Sequence, residues 1–149
     1  MSAHTEQSKS IGVFGRPPST TLVRSVVFAS IALTLIHFTD NTVSIDSYPK
    51  ASWQPDWFAV VVVVAWFVYA AIGIAAYRSY RSGDFARANL LLVVYGFAVL
   101  TSLGHFLVGS PSELTTFALV TIAIDTVAGL VVLGVAAWSF WSRARLQLT

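Results

Sequence analysis

The chain has 149 residues, 56% of them hydrophobic and only 11% charged, with a mean hydropathy of +0.71. Soluble domains carry about 25% charged residues, so this composition excludes a free cytoplasmic enzyme and a disordered chain. Nine cations against seven anions give a net charge of +2, too weak a field to hold nucleic acid, and the lack of cysteine excludes disulfides, thiolate metal sites and cysteine nucleophiles.

Residues 1–19 are small and polar, with Gly12, Gly15, Pro17 and Pro18. They hold too little apolar surface to fold alone and read as a disordered cytoplasmic tail, in which His4 has no role. The first apolar stretch spans about 20–41. Arg24 and Asp40 are only roughly 22 Å apart along a helix, so Arg24 must snorkel for the stretch to cross a ~30 Å hydrocarbon core. Its end, His37-Phe38-Thr39-Asp40-Asn41, has no small-x-small cleavage site, so it reads as a transmembrane helix and not a signal peptide.

The second stretch, 56–81, contains five consecutive valines, Val60 to Val64. In water such a run reads as a strand; in lipid an unpaired strand is excluded, so a helix is predicted. Gly83 can end it, and Ser82 or Asp84 can cap the third stretch, 85–108. Ser110-Pro111-Ser112-Glu113 has the pattern of a capping box with proline at the first helical position. It predicts a fourth helix over 111–141, interrupted by a single charge, Asp125, with 143–149 as a cytoplasmic tail. The predicted fold is all-α: an antiparallel bundle of four transmembrane helices over 20–142.

Eight cations (Lys9, Arg16, Arg24, Arg78, Arg81, Arg87, Arg143, Arg145) fall on one side of these spans and Lys50 alone on the other. The positive-inside rule then puts both termini in the cytoplasm of a multi-pass protein, with a plasma or inner membrane the expected location. Trp53 and Trp57 mark the outer interface; Trp138, Trp141, Tyr77 and Tyr80 mark the inner one. Arg143-x-Arg145 reads as an orientation signal.

Ionisable residues inside a membrane are costly and therefore point to function. Stepping 100° per residue, Ser30, Thr34, His37 and Asn41 fall within about 60°, with Asp40 beside them. Tyr95, Thr101, Ser102 and His105 share one arc of the third helix. Thr121 and Asp125 share a small-residue face of the fourth with Ala118, Ala128, Gly129, Val132 and Ala136. Ala65, Tyr69, Gly73, Ala76 and Tyr80 align on the second. These four faces are expected to look at one another.

Depth sorts the polar groups into two layers. His37 and His105 lie roughly 6 Å from the outer ends of their helices and, with Asp40 and Asn41, form an outer cluster. Asp125 lies roughly 18 Å below Glu113, level with Ser30, Tyr69 and Tyr95, where a neutral carboxylic acid donating to a tyrosine or serine is expected. The first connection, 42–54, carries Ile45, Tyr48, Pro49 and Trp53 and is apolar enough to fold down as a lid.

Two functions fit. The first is non-enzymatic: a hydrophobic ligand or membrane partner is bound in an internal polar pocket open to the outer side. The binding residues would be Asp125, Asn41, Thr34, Ser30, Tyr69, Tyr95 and Thr121. The second is an intramembrane isomerase, hydrolase or transferase acting on a lipid or isoprenoid, with His37, Asp40 and His105 as acid–base candidates. Two histidines and one acid fall short of a metal signature, so neither metal nor cofactor is expected. One deep charge and no pair of broken helices argue against a transporter, which would require oligomerisation. The expected partners are membrane lipid, a hydrophobic small molecule, and a second copy or another membrane protein.

Four helices, an acid and asparagine ending the first (Asp40, Asn41) and Tyr48-Pro49 in the following loop resemble the layout of the EXPERA family of sterol isomerases and sigma-2-type proteins. The resemblance implies acidic residues lining a pocket for a cationic or sterol-like ligand. The second helix here has no acid, unlike those proteins.

Overall fold

A computed structural model describes residues 16–146. Residues 1–15 of the expected tail and 147–149 lie outside the described residues. Among the described residues every regular element is helical, and four helices are long and apolar enough to cross a membrane. They are α1 (Thr20–Val43), α2 (Phe58–Arg81), α3 (Phe85–Val108) and α4 (Thr116–Leu146). The shortest have 24 residues, about 36 Å of helix against a ~30 Å hydrocarbon core.

Local chemistry sets the ends. The Ser19 hydroxyl accepts from the Leu22 amide at 3.2 Å and starts α1. Gly83, at φ +85°, turns the chain after α2 in a conformation that side chains with a Cβ disfavour. Asp84 accepts from the Arg87 amide at 3.2 Å and starts α3. This short connection forces α2 and α3 antiparallel.

The fourth helix departs from expectation. Pro111–Glu113 is a single 3₁₀ turn, in which the Glu113 carboxylate accepts from the Ser110 amide at 3.1 Å. Leu114 is extended (ψ 144°), so the chain breaks and α4 begins at Thr116 instead of 111. The box closes on itself because Leu114 is drawn inward, buried against Tyr48, Ala118 and Ile122. At the other end α4 runs through Arg143 and Arg145 to Leu146, past the predicted end at 141.

Each helix packs on the next, and α4 returns to α1, which closes a four-membered ring. On α1 the buried residues are Val23, Val27, Ser30, Thr34, His37 and Asn41. The alternating steps of four and three are those of a coiled-coil seam. Gly96 of α3 and Gly129 of α4 meet closely: a Cβ on Gly129 would lie 3.0 Å from the Gly96 carbonyl oxygen. Small residues permit this backbone approach. The outer faces carry exposed Phe28, Val60, Val64, Phe67, Phe97, Val127 and Leu130, an apolar belt of the kind that marks a membrane or partner face.

The arginine-rich end is closed by packing. Tyr80, expected as an interface anchor, is only 3% exposed and donates its hydroxyl to the Pro18 carbonyl at 2.6 Å. Trp138 donates its indole N–H to the Arg16 carbonyl at 2.9 Å. Residues 16–19, expected within the disordered tail, are therefore tied to the bundle. The Arg143 guanidinium sits 3.1 Å above the Phe85 ring and reaches the Tyr80 hydroxyl at 3.4 Å, so it packs as well as carrying charge.

Candidate functional site: a cavity under the first connection

At the end opposite the arginines, α1, α2, α3 and the first connection line a half-open cavity of about 350 Å³. Its polar wall is His37 and Asn41 of α1, Tyr69 of α2, and Thr101, Ser102 and His105 of α3. Phe38, Phe58, Val61, Val62 and Ala65 supply an apolar wall, and Pro49, Trp53 and Gln54 of the first connection line it too. This is the profile of a small-molecule site, mostly apolar with a few converging polar groups.

The histidines are fixed by their bonds. Thr121 Oγ1 of α4 lies 3.0 Å from the Ala118 carbonyl and 3.1 Å from His37 Nδ1; with its one proton given to the carbonyl, its oxygen accepts from His37 Nδ1. That arrangement makes His37 the Nδ1–H tautomer and leaves Nε2 a lone pair. Asn41 donates its amide N–H to His105 Nε2 at 3.1 Å, which puts the His105 proton on Nδ1. The two rings meet edge to face with centroids 5.6 Å apart.

His105 reaches this position through a local change of winding. Leu100–Gly104 is 3₁₀, not α. The Thr101 hydroxyl donates to the Ala98 carbonyl at 2.6 Å and the Ser102 hydroxyl to the Val99 carbonyl at 3.3 Å. Such side-chain bonds compete with the α-helical ladder and tighten the turn. Tyr69 approaches Thr101 Oγ1 at 3.5 Å from α2.

The first connection folds over this end. Tyr48 is 5% exposed, its ring lies 4.7 Å from that of His105, and its hydroxyl donates to Asp40 at 2.6 Å. Ser44 donates to the other Asp40 oxygen at 3.3 Å. Burial raises the Tyr48 pKa above the ordinary tyrosine value, and the bond to Asp40 raises it further. Pro49 rests on Gly109, where any Cβ would overlap the proline ring. From the sequence, Tyr48 stood out as part of an apolar loop and of the Tyr48-Pro49 pair, not as a partner of Asp40; a tyrosine eight residues past a helix-ending aspartate was the available signal.

The residues singled out from the sequence divide. His37, Asn41, Tyr69 and His105 meet at the cavity. Asp40 does not join the histidines: it lines a groove between α1 and α4 beside Phe117, and Tyr48 and Ser44 hold its carboxylate. Thr121 lies behind His37 and positions it. Ser30, Thr34 and Tyr95 belong to the bundle interior, where Tyr95 donates to Ser30 at 3.1 Å and Thr34 to the Ile31 carbonyl at 3.0 Å. Asp125 is 0% exposed, as its face requires, but neither carboxylate oxygen has a hydrogen-bond partner. The expected bond to a tyrosine or serine is not formed; the Tyr95 hydroxyl gives its proton to Ser30 instead. Among the described residues no three His, Asp or Glu side chains gather as a metal-holding set.

No family model, no curated protein and no solved structure matches the chain. The resemblance to the EXPERA layout therefore rests on layout alone, and the cavity departs from what it implies: no acidic residue lines it.

Proposed function

We propose that this is a multi-pass protein of a plasma or inner membrane, with both termini cytoplasmic, that binds a lipophilic molecule in the cavity under its first connection. Support for insertion comes from the apolar belt, and support for orientation from seven described arginines at one end against Lys50 at the other. The observation that carries the binding reading is the cavity itself. One wall is apolar, the other presents two imidazoles and an amide, and a partly apolar connection covers it. Binding residues on this reading are His37, Asn41, Tyr69 and His105, with Thr121 positioning His37. Ser30, Thr34, Tyr95 and Asp125 support the site from below. The partner is membrane lipid or a lipophile dissolved in it.

Acid–base chemistry on such a lipophile is the second reading, favoured by the two imidazoles on one wall. Asp40 contributes less to it than its sequence position promised, since Tyr48 and Ser44 occupy its carboxylate.

The test is extraction of purified protein followed by mass spectrometry of what it carries. Ala65→Phe fills the cavity; Val64→Phe, on the exposed face, is the control. Wild type and Val64→Phe should carry a lipophile near one per chain, and Ala65→Phe little. Equal loads in all three would exclude the cavity as the site.

A further inference from the structure

The wall of this cavity narrows the chemistry of its occupant, an inference that rests on the binding reading above. No Asp, Glu, Lys or Arg lines it. An ammonium, carboxylate or phosphate head would find no charged side chain on the wall to compensate it, a cost that rises as the occupant excludes water. The wall does not suit a pure hydrocarbon either, because each imidazole keeps a ring nitrogen that the protein does not use.

Most polar groups on the wall are already committed. Thr101 and Ser102 spend their protons on the Ala98 and Val99 carbonyls, which leaves Thr101 Oγ1 to accept from Tyr69. His37 gives its Nδ1 proton to Thr121, and His105 receives Asn41 on Nε2. Of the imidazole nitrogens, His37 Nε2 is left as an acceptor and His105 Nδ1–H as a donor, on rings whose centroids are 5.6 Å apart. A hydroxyl has one proton to give and lone pairs to receive, so it satisfies both. An ether or ketone satisfies only the donor.

We propose that the cavity binds an uncharged lipophilic alcohol, its hydroxyl set between His37 Nε2 and His105 Nδ1 and its hydrocarbon along the wall of Phe38, Val62 and Ala65.

The experiment uses the full chain in lipid vesicles with a diazirine-bearing hexadecanol as photolabel. The competitors are hexadecanol, hexadecyl methyl ether, palmitate and hexadecylammonium. Labelling should fall on peptides around residues 37–43 and 101–108. Hexadecanol should compete about tenfold better than the ether, the worth of roughly one buried hydrogen bond. His37→Phe should abolish that preference while the ether still competes, and His37→Gln should retain part of it. If the ether, palmitate or ammonium compound competes as well as the alcohol at these peptides, the alcohol assignment falls while the binding site survives. If no competitor reduces labelling there, the binding reading falls with it.

Discussion

At the residue scale, Asp125 and Tyr48 make opposite demands. Asp125 is fully buried with both oxygens unpartnered, so it has no bond to lose. Asp125→Asn should leave thermal stability in detergent within about 1 kcal/mol of wild type, whereas removal of a bonded buried acid costs more, about 1–3 kcal/mol. A larger loss would reveal a partner for this carboxyl. Tyr48 does have a bond to lose. Tyr48→Phe should weaken closure of the first connection by about 1.5–3 kcal/mol, the range for bonds to charged groups, seen as faster proteolysis within 44–57. Burial, then Asp40, holds the Tyr48 proton more tightly when the connection is closed than when it is open. Closure should therefore be complete below about pH 10, the ordinary tyrosine value, and weaken as pH rises past it. The same protease assay run against pH checks the sign. Helical stepping was enough to place Ser30, Thr34, His37 and Asn41 on one buried seam, because period alone decides which face a residue takes. It could not choose partners. His37 bonds Thr121 across the bundle, and Asp40 bonds Tyr48 beyond its own helix, because partners depend on how the helices sit against one another.

At the element scale, the close passage of α3 and α4 at Gly96 and Gly129 fixes how the wall of the cavity meets its support. Gly129→Ala sets a Cβ 3.0 Å from a backbone oxygen that cannot step aside, and 2.9 Å from Leu100. Overpacking of this kind costs about 1–3 kcal/mol. Gly134→Ala on the same helix meets nothing within 4 Å and should gain up to about 1 kcal/mol from helix propensity. Thermal denaturation of the pair side by side checks both signs. Spans were legible in the sequence because length and hydropathy are local properties. The break at Leu114 and the 3₁₀ winding of Leu100–Gly104 were not. The first needs the burial of Leu114 against Tyr48, and the second needs Thr101 and Ser102 to bond backward along their own helix.

At the scale of the whole molecule, orientation and the cavity are one question, since the cavity opens at the end that holds Lys50 alone among the described cations. A chain without cysteine is suited to single-cysteine labelling. Ser47→Cys, in the exposed turn after α1, should react with a membrane-impermeant thiol reagent only from outside the cell, and Ser82→Cys, between α2 and α3, only from within; the reverse pattern would invert the molecule. The four apolar helices of the bundle were legible from the spans themselves; which helix closes the ring on which was not. The cavity was not, because it exists only where α1, α2, α3 and the folded connection fail to fill the space between them. The central claim is that two imidazoles from separate helices face this cavity with opposite hydrogen-bonding character. ¹⁵N NMR of histidine-labelled protein in lipid, assigned with His37→Gln, measures it directly. Both His37 and His105 should carry their proton on Nδ1, the one leaving Nε2 as an acceptor and the other offering Nδ1–H as a donor. A proton on Nε2 of either ring would contradict the account.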